Sequence, residues 1–254
     1  MMTSTRKSPA QPVDADAPPH SRPGTAAARS VRIAGVTAGI GILLMAVLAG
    51  FGNFAAVEGL VTPGDPARTA GAIASSEGLF RLGIASLILV VALDVVVAWA
   101  LYRVFAPVNR SLSLLAAWFR LVYAAVFLVA IGHLVDVLHL LGDGSYLAVF
   151  TAEQLQAHVL LAITAFGNVW AVGLLLFGIH LIVIGYLAYR SGHVPRVLGV
   201  LLVVAGVGYM IDTLAAVLFR GPWTDVSTFT FVGEFLLALW LLVRRGRPTL
   251  HGRS

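Results

Sequence analysis

Four ionisable residues stand alone inside long apolar runs: Asp94, Arg120, His180 and Glu234. Each lies nine or ten positions from an arginine that borders its run, Arg103, Arg110, Arg190 and Arg244 in turn. If the runs are helices, a rise of 1.5 Å per residue sets all four about 15 Å from one common boundary. Two carboxylates, a guanidinium and an imidazole, each from a different helix, then share one layer. Such a layer can relay protons or bind an ion or polar solute, as chains of Asp, Glu and His do in pumps and transporters. The competing reading is structural, because charges brought together can fix helix register even where they add little stability. Asp94 and Arg120 are each thirteen residues from Pro107, in a very short connection. Their helices should be antiparallel neighbours and the two side chains an ion pair, since an unpaired arginine at that depth costs about 2.5–3.5 kcal/mol.

A second set sits near the opposite ends of the runs: Arg81, His133, Asp136 and Asp212, with Asn53 and Asn168 at similar height. His133 and Asp136 are three apart and so share a helix face. Two such ligands with Asp212 would suit a divalent metal and metal-assisted hydrolysis. The rival reading is an interfacial ion pair of Arg81 with Asp212 or Asp136; it is preferred, and no metal is assigned.

The elements that must position these residues are written for a lipid solvent. Hydrophobic residues make up 59% of the 254 positions and charged residues 11%, against roughly 25% charged in soluble domains. Six apolar segments recur, at 33–53, 79–101, 114–138, 168–187, 197–218 and 229–243, with no proline inside any of them. That spacing predicts an all-α, polytopic membrane helix bundle of six transmembrane helices. Thirteen of the seventeen basic residues fall on one side of it. That side is therefore the cytoplasm, and the N and C termini both lie there. Topology thus accounts for the net charge of +5, and no nucleic acid is implied. Trp99, Trp118 and Trp240 lie within a few turns of cytoplasmic arginines, as an interfacial belt would place them.

Residues 1–30 hold five prolines among small polar residues and are expected to be a disordered cytoplasmic tail. Residues 31–246 form the membrane domain and 247–254 a short second tail. The acidic Asp14 and Asp16 and the long preceding region argue against a cleaved signal peptide at 33–53. Asp65-Pro66 reads as a helix start before 67–74. The polar and apolar alternation at 152–165, joined to the fourth span, would give a helix of about 54 Å. A break is therefore expected near Gly167, with the first part lying at the outer surface. Gly35, Gly39, Gly206 and Gly208 could let helices approach closely.

Cysteine is absent, which removes disulfides, thiolate metal ligands and a thiol nucleophile. No Walker loop, G-x-S-x-G elbow or H-E-x-x-H helix occurs, and no motif points to a cofactor. An inverted repeat is suggested by Arg81 running to Asp94 and Arg103 beside Arg196 running to Asp212 and Arg220.

The hairpin Ser191-Gly192-His193-Val194-Pro195-Arg196 with Tyr209-Met210-Ile211-Asp212, together with Phe80-Arg81-Leu82-Gly83, Asn109-Arg110-Ser111, Phe119-Arg120-Leu121 and Gly233-Glu234, carries a resemblance. In that order these segments resemble the bacterial membrane proteins grouped as domain-of-unknown-function family 4386, over about residues 32–245. The resemblance implies a multi-helix membrane domain without an assigned activity; the stretch from His133 to His139 falls outside it. Three functions are compatible with the residues. The leading one is small-solute or proton-coupled transport through the buried polar layer, with a small molecule or ion as ligand and the lipid bilayer of a bacterial inner membrane as surroundings. The others are a membrane-embedded enzyme acting on a lipid or quinone, and an accessory or sensory protein without turnover.

Overall fold

The computed structural model describes residues 23–219 and 232–243, all helix and connections with no strand among the described residues. Helix α1 (Pro23–Gly50) runs on into a π turn (Phe51–Ala55) and a 3-10 turn (Glu58–Leu60). After the short α2 (Pro66–Ser75) come α3 (Glu77–Phe105) and α4 (Arg110–Leu140). A 3-10 turn (Ser145–Val149) leads to α5 (Ala152–Arg190), α6 (Arg196–Leu218) and α7 (Val232–Val243). Five stretches, Arg29–Leu60 among them, are long and apolar enough to cross a membrane. The sixth predicted span, 229–243, is described over the 12 residues of α7, about 18 Å of helix.

Helix starts follow local chemistry. The Asp65 side chain accepts from Arg68 N ahead of Pro66, Asn109 accepts from Leu112 N at the head of α4, and Thr151 and Gln154 form a reciprocal capping box on α5. That box starts a helix of 39 residues with no interruption, so the break expected near Gly167 does not occur. The physical reason is cost. A lone glycine inside a helix loses only about 1 kcal/mol relative to alanine, whereas a break exposes backbone polar groups with no water to receive them. The other departure is at the N-terminus, where α1 reaches back to Pro23 into the stretch expected to be tail. Ala26, Ala27 and Ala28 favour helix strongly and proline suits a first turn. Residues 1–22 and 244–254, and with them the rest of both expected tails, lie outside the described residues.

Packing closes a ring: α3 lies against α1 and α4, α4 against α5, α5 against α6, α6 against α7, and α7 against α1. Helix α2 sits on α5 and α3. The α5–α6 seam is unusually close. A Cβ on Gly178 would lie 2.6 Å from the carbonyl oxygen of Gly206, and one on Gly185 would lie 2.6 Å from that of Gly199. Small residues here let two backbones touch, the usual device where lipid gives no hydrophobic push between helices. Bulky apolar side chains such as Trp118, Val129, Leu161 and Val217 are exposed on the outside of the ring, a surface suited to lipid.

Candidate functional site

Arg120 heads the largest fully buried side chains and projects from α4 into the middle of the ring. Its Nε donates to Asp94 Oδ1 on α3 at 2.7 Å. Its Nη1 donates to Glu234 Oε1 on α7 at 2.8 Å and lies 3.3 Å from His180 Nε2 on α5. Nη2 approaches Met45 Sδ on α1 at 3.9 Å, and the ring of Phe177 lies 5.3 Å from the guanidinium carbon. His180 Nδ1 is 2.8 Å from the carbonyl oxygen of Ala116. A carbonyl only accepts, so Nδ1 carries the ring proton and Nε2 accepts from Arg120. The four residues that depth counting sets in one layer thus meet around one guanidinium, whose rigid fork of five donors can serve several acceptors at once. Two carboxylates face one guanidinium, and Asp94 Oδ2 is buried without a hydrogen-bond partner.

A cavity of about 520 Å³ starts at this cluster and reaches Asn53, Phe54 and Glu58 at the far end of α1. Ile42, Met45, Ala46 and Ala49 line it from α1 and Asn53 from the π turn that continues it, together rising about 17 Å. The facing wall is aromatic: Tyr123 and Phe127 from α4, Trp170 and Phe177 from α5, Tyr209 from α6 and Phe235 from α7. Trp170 Nε1 donates to Tyr123 Oη at 3.1 Å, and the Phe127 and Trp170 rings are 5.1 Å apart. At the far end Asn53 Nδ2 donates to Glu58 Oε1 at 2.8 Å. Sequence reasoning missed this wall. Its signal was available in the spacing of Tyr123 with Phe127 and of Trp170 with Phe177, four and seven apart, which puts each pair on one helix face.

The family model described as "Domain of unknown function (DUF4386)" matches residues 37–244. The chain belongs to that family. An uncharacterized protein of Archaeoglobus fulgidus is 35% identical to this DUF4386 chain over 161 residues, which cover 63% of the chain and 82% of the relative. No solved structure matches it. The ion cluster and the whole cavity wall fall inside the stretch that the DUF4386 model matches.

The second predicted set does not assemble in this DUF4386 chain. Arg81 pairs with Glu77 one turn before it, Nη2 to Oε1 at 2.6 Å, rather than with Asp136 or Asp212. His133 Nδ1 lies 3.5 Å from Asp136 Oδ2 on the same helix. Asp212 sits on α6, on the far side of the ring from α3. Among the described residues no three His, Asp or Glu side chains are grouped so as to hold a metal, and Asn168 is exposed. Counting along a helix gives height but not the direction a side chain faces, and beyond the His133–Asp136 pair these residues share only height. The suggested repeat meets a related difficulty: Asp94 is buried in the cluster, while Asp212, its counterpart, does not line the cavity. Because the Arg81 pair is exposed and the His133 pair partly so, Arg81→Gln and His133→Ala should each change unfolding stability by less than about 1 kcal/mol. Metal analysis of purified protein should find less than stoichiometric zinc, unchanged by His133→Ala. A loss of bound zinc in that variant would restore the metal reading.

Proposed function

We propose that the protein is a six-span cell-membrane protein with both ends in the cytoplasm that passes a small solute or protons through the central cavity. The observation that supports this is a cavity walled by every helix of the ring and ending on the Arg120 ion cluster. Structural charge networks need no void beside them, whereas binding sites in transporters lie at the midplane between helix groups. The enzyme reading loses its motive, because the His133 and Asp136 pair faces outward. Since the chain has no cysteine, single cysteines test both parts of the proposal in intact cells. Asp143→Cys should react with a membrane-impermeant maleimide from outside, and Ser191→Cys only after the inner face is exposed. Ala49→Cys, in the cavity wall, should react from each side in turn as the site alternates. Labelling of Asp143→Cys and Ser191→Cys from one side would remove the six-span topology. An Ala49→Cys that stays unreactive from both sides would leave a sealed bundle and no transport.

A further inference from the structure

Three carboxylates, Glu58, Asp94 and Glu234, line the cavity against one guanidinium, Arg120. In a chain of net charge +5 this interior is negative. Arg120 is shared between Asp94 and Glu234, so the deep cluster holds one negative charge more than it neutralises. That surplus has an address: Asp94 Oδ2, buried and without a donor, on a residue that lines the cavity. A buried carboxylate oxygen left without a donor is unfavourable, and in a low-dielectric interior a positively charged donor relieves it best.

We propose that the cavity binds an organic monocation, an amine or quaternary ammonium group seated beside Asp94 with its apolar body against the aromatic wall. This rests on reading the cavity as a small-solute site and names the chemical class that fits it. Seven of the nineteen lining residues are Phe, Tyr or Trp, against 9% of the chain; such faces attract cations as well as apolar groups. An anion would meet the surplus charge directly. A bare metal ion would need several oxygen ligands converging on one point, and among the described residues no three His, Asp or Glu side chains are grouped to supply them. The volume falls within the range of drug-sized ligand sites, about 300–1,000 Å³.

A proton on Asp94 Oδ2 neutralises the same surplus, so proton and cation exclude one another. The groups around Asp94 in this exchange are Arg120, bonded to it directly, Glu234 from α7 and His180 from α5, which meet it through that guanidinium, and Tyr123 from α4 and Tyr209 from α6 in the cavity wall. Helix α1 presents Met45 there, and Glu58, in the 3-10 turn after it, lies only at the far end. Competition of this kind couples the movement of one to the counter-movement of the other.

Calorimetric titration of the full chain in lipid nanodiscs tests the assignment, with benzyltrimethylammonium as probe. Neopentylbenzene, in which a quaternary carbon replaces the ammonium nitrogen, is the neutral control. The cation should bind at least about tenfold more tightly than the control and lose affinity as pH is lowered. Asp94→Asn should weaken the cation about tenfold and leave the control unchanged. Trp170→Leu, which leaves every charge in place, should weaken it as well and serves if Asp94→Asn does not fold. Equal binding of cation and control would overturn the charge class while leaving a small-solute cavity. Binding of neither would overturn the cavity reading itself, and cation affinity that is flat with pH would overturn the shared site.

Discussion

Replacing Arg120 by glutamine should cost the folded bundle about 3–5 kcal/mol, the loss typical when one partner of a buried ion pair is removed. The expectation comes from geometry. Arg120 holds Asp94 at 2.7 Å and Glu234 at 2.8 Å, so its removal leaves two carboxylates without a counter-charge. Asp94→Asn should be far milder, about 1 kcal/mol, because Arg120 then keeps Glu234 and the cluster is balanced. The double variant should therefore be more stable than the sum of the two single losses, since the amide that replaces the Asp94 carboxylate has no charge to strand. Reversible unfolding in detergent or bilayer discs measures all three. An Arg120→Gln protein as stable as wild type, or a double variant equal to the sum, would show that the cluster is not the electrostatic unit its distances describe.

Gly178→Leu should separate α5 from α6 and lower stability by about 1–3 kcal/mol, the usual range for overpacking a close contact. Even the first carbon of the new side chain would meet the Gly206 carbonyl oxygen at 2.6 Å, and a carbonyl in a helix cannot turn aside alone. Gly185→Ala should behave in the same way against Gly199. Gly167→Ala is the matched control on the same helix, because a Cβ there meets nothing within 4 Å. It should raise stability by about 1 kcal/mol through helix propensity. A Gly167→Ala protein that is destabilised would mean that α5 needs flexibility at that point, and a neutral Gly178→Leu would mean that the seam is looser than described.

What the sequence made legible was height. Counting from Arg103, Arg110, Arg190 and Arg244 set Asp94, Arg120, His180 and Glu234 at one level, and they meet there because each also faces inward. The same counting grouped Arg81, His133, Asp136 and Asp212, of which only His133 and Asp136, three apart on one helix, come together, while Arg81 pairs with Glu77. No periodicity in Leu- and Val-rich helices separates these two cases, since lipid-facing and protein-facing positions are both apolar. The aromatic wall escaped notice because Tyr123, Phe127, Trp170 and Phe177 read as ordinary membrane-helix residues until a cavity gives their shared face a meaning. Gly167 misled in the opposite direction, as a glycine is only permission to bend and the rest of α5 gives no reason to.

An unbroken α5 has a mechanical consequence. A continuous rod that touches α6 at Gly178 and again at Gly185 can pivot at the first of them, with 26 residues on one side back to Ala152 and 12 on the other to Arg190, arms of about 39 and 18 Å. Rocking about that point would sweep the Ala152 end roughly twice as far as the Arg190 end and in the opposite direction. Trp170 lies on the long arm and His180 just past the pivot on the short one. A tilt that swings the tryptophan away from α1 would therefore carry the histidine the other way by a smaller amount.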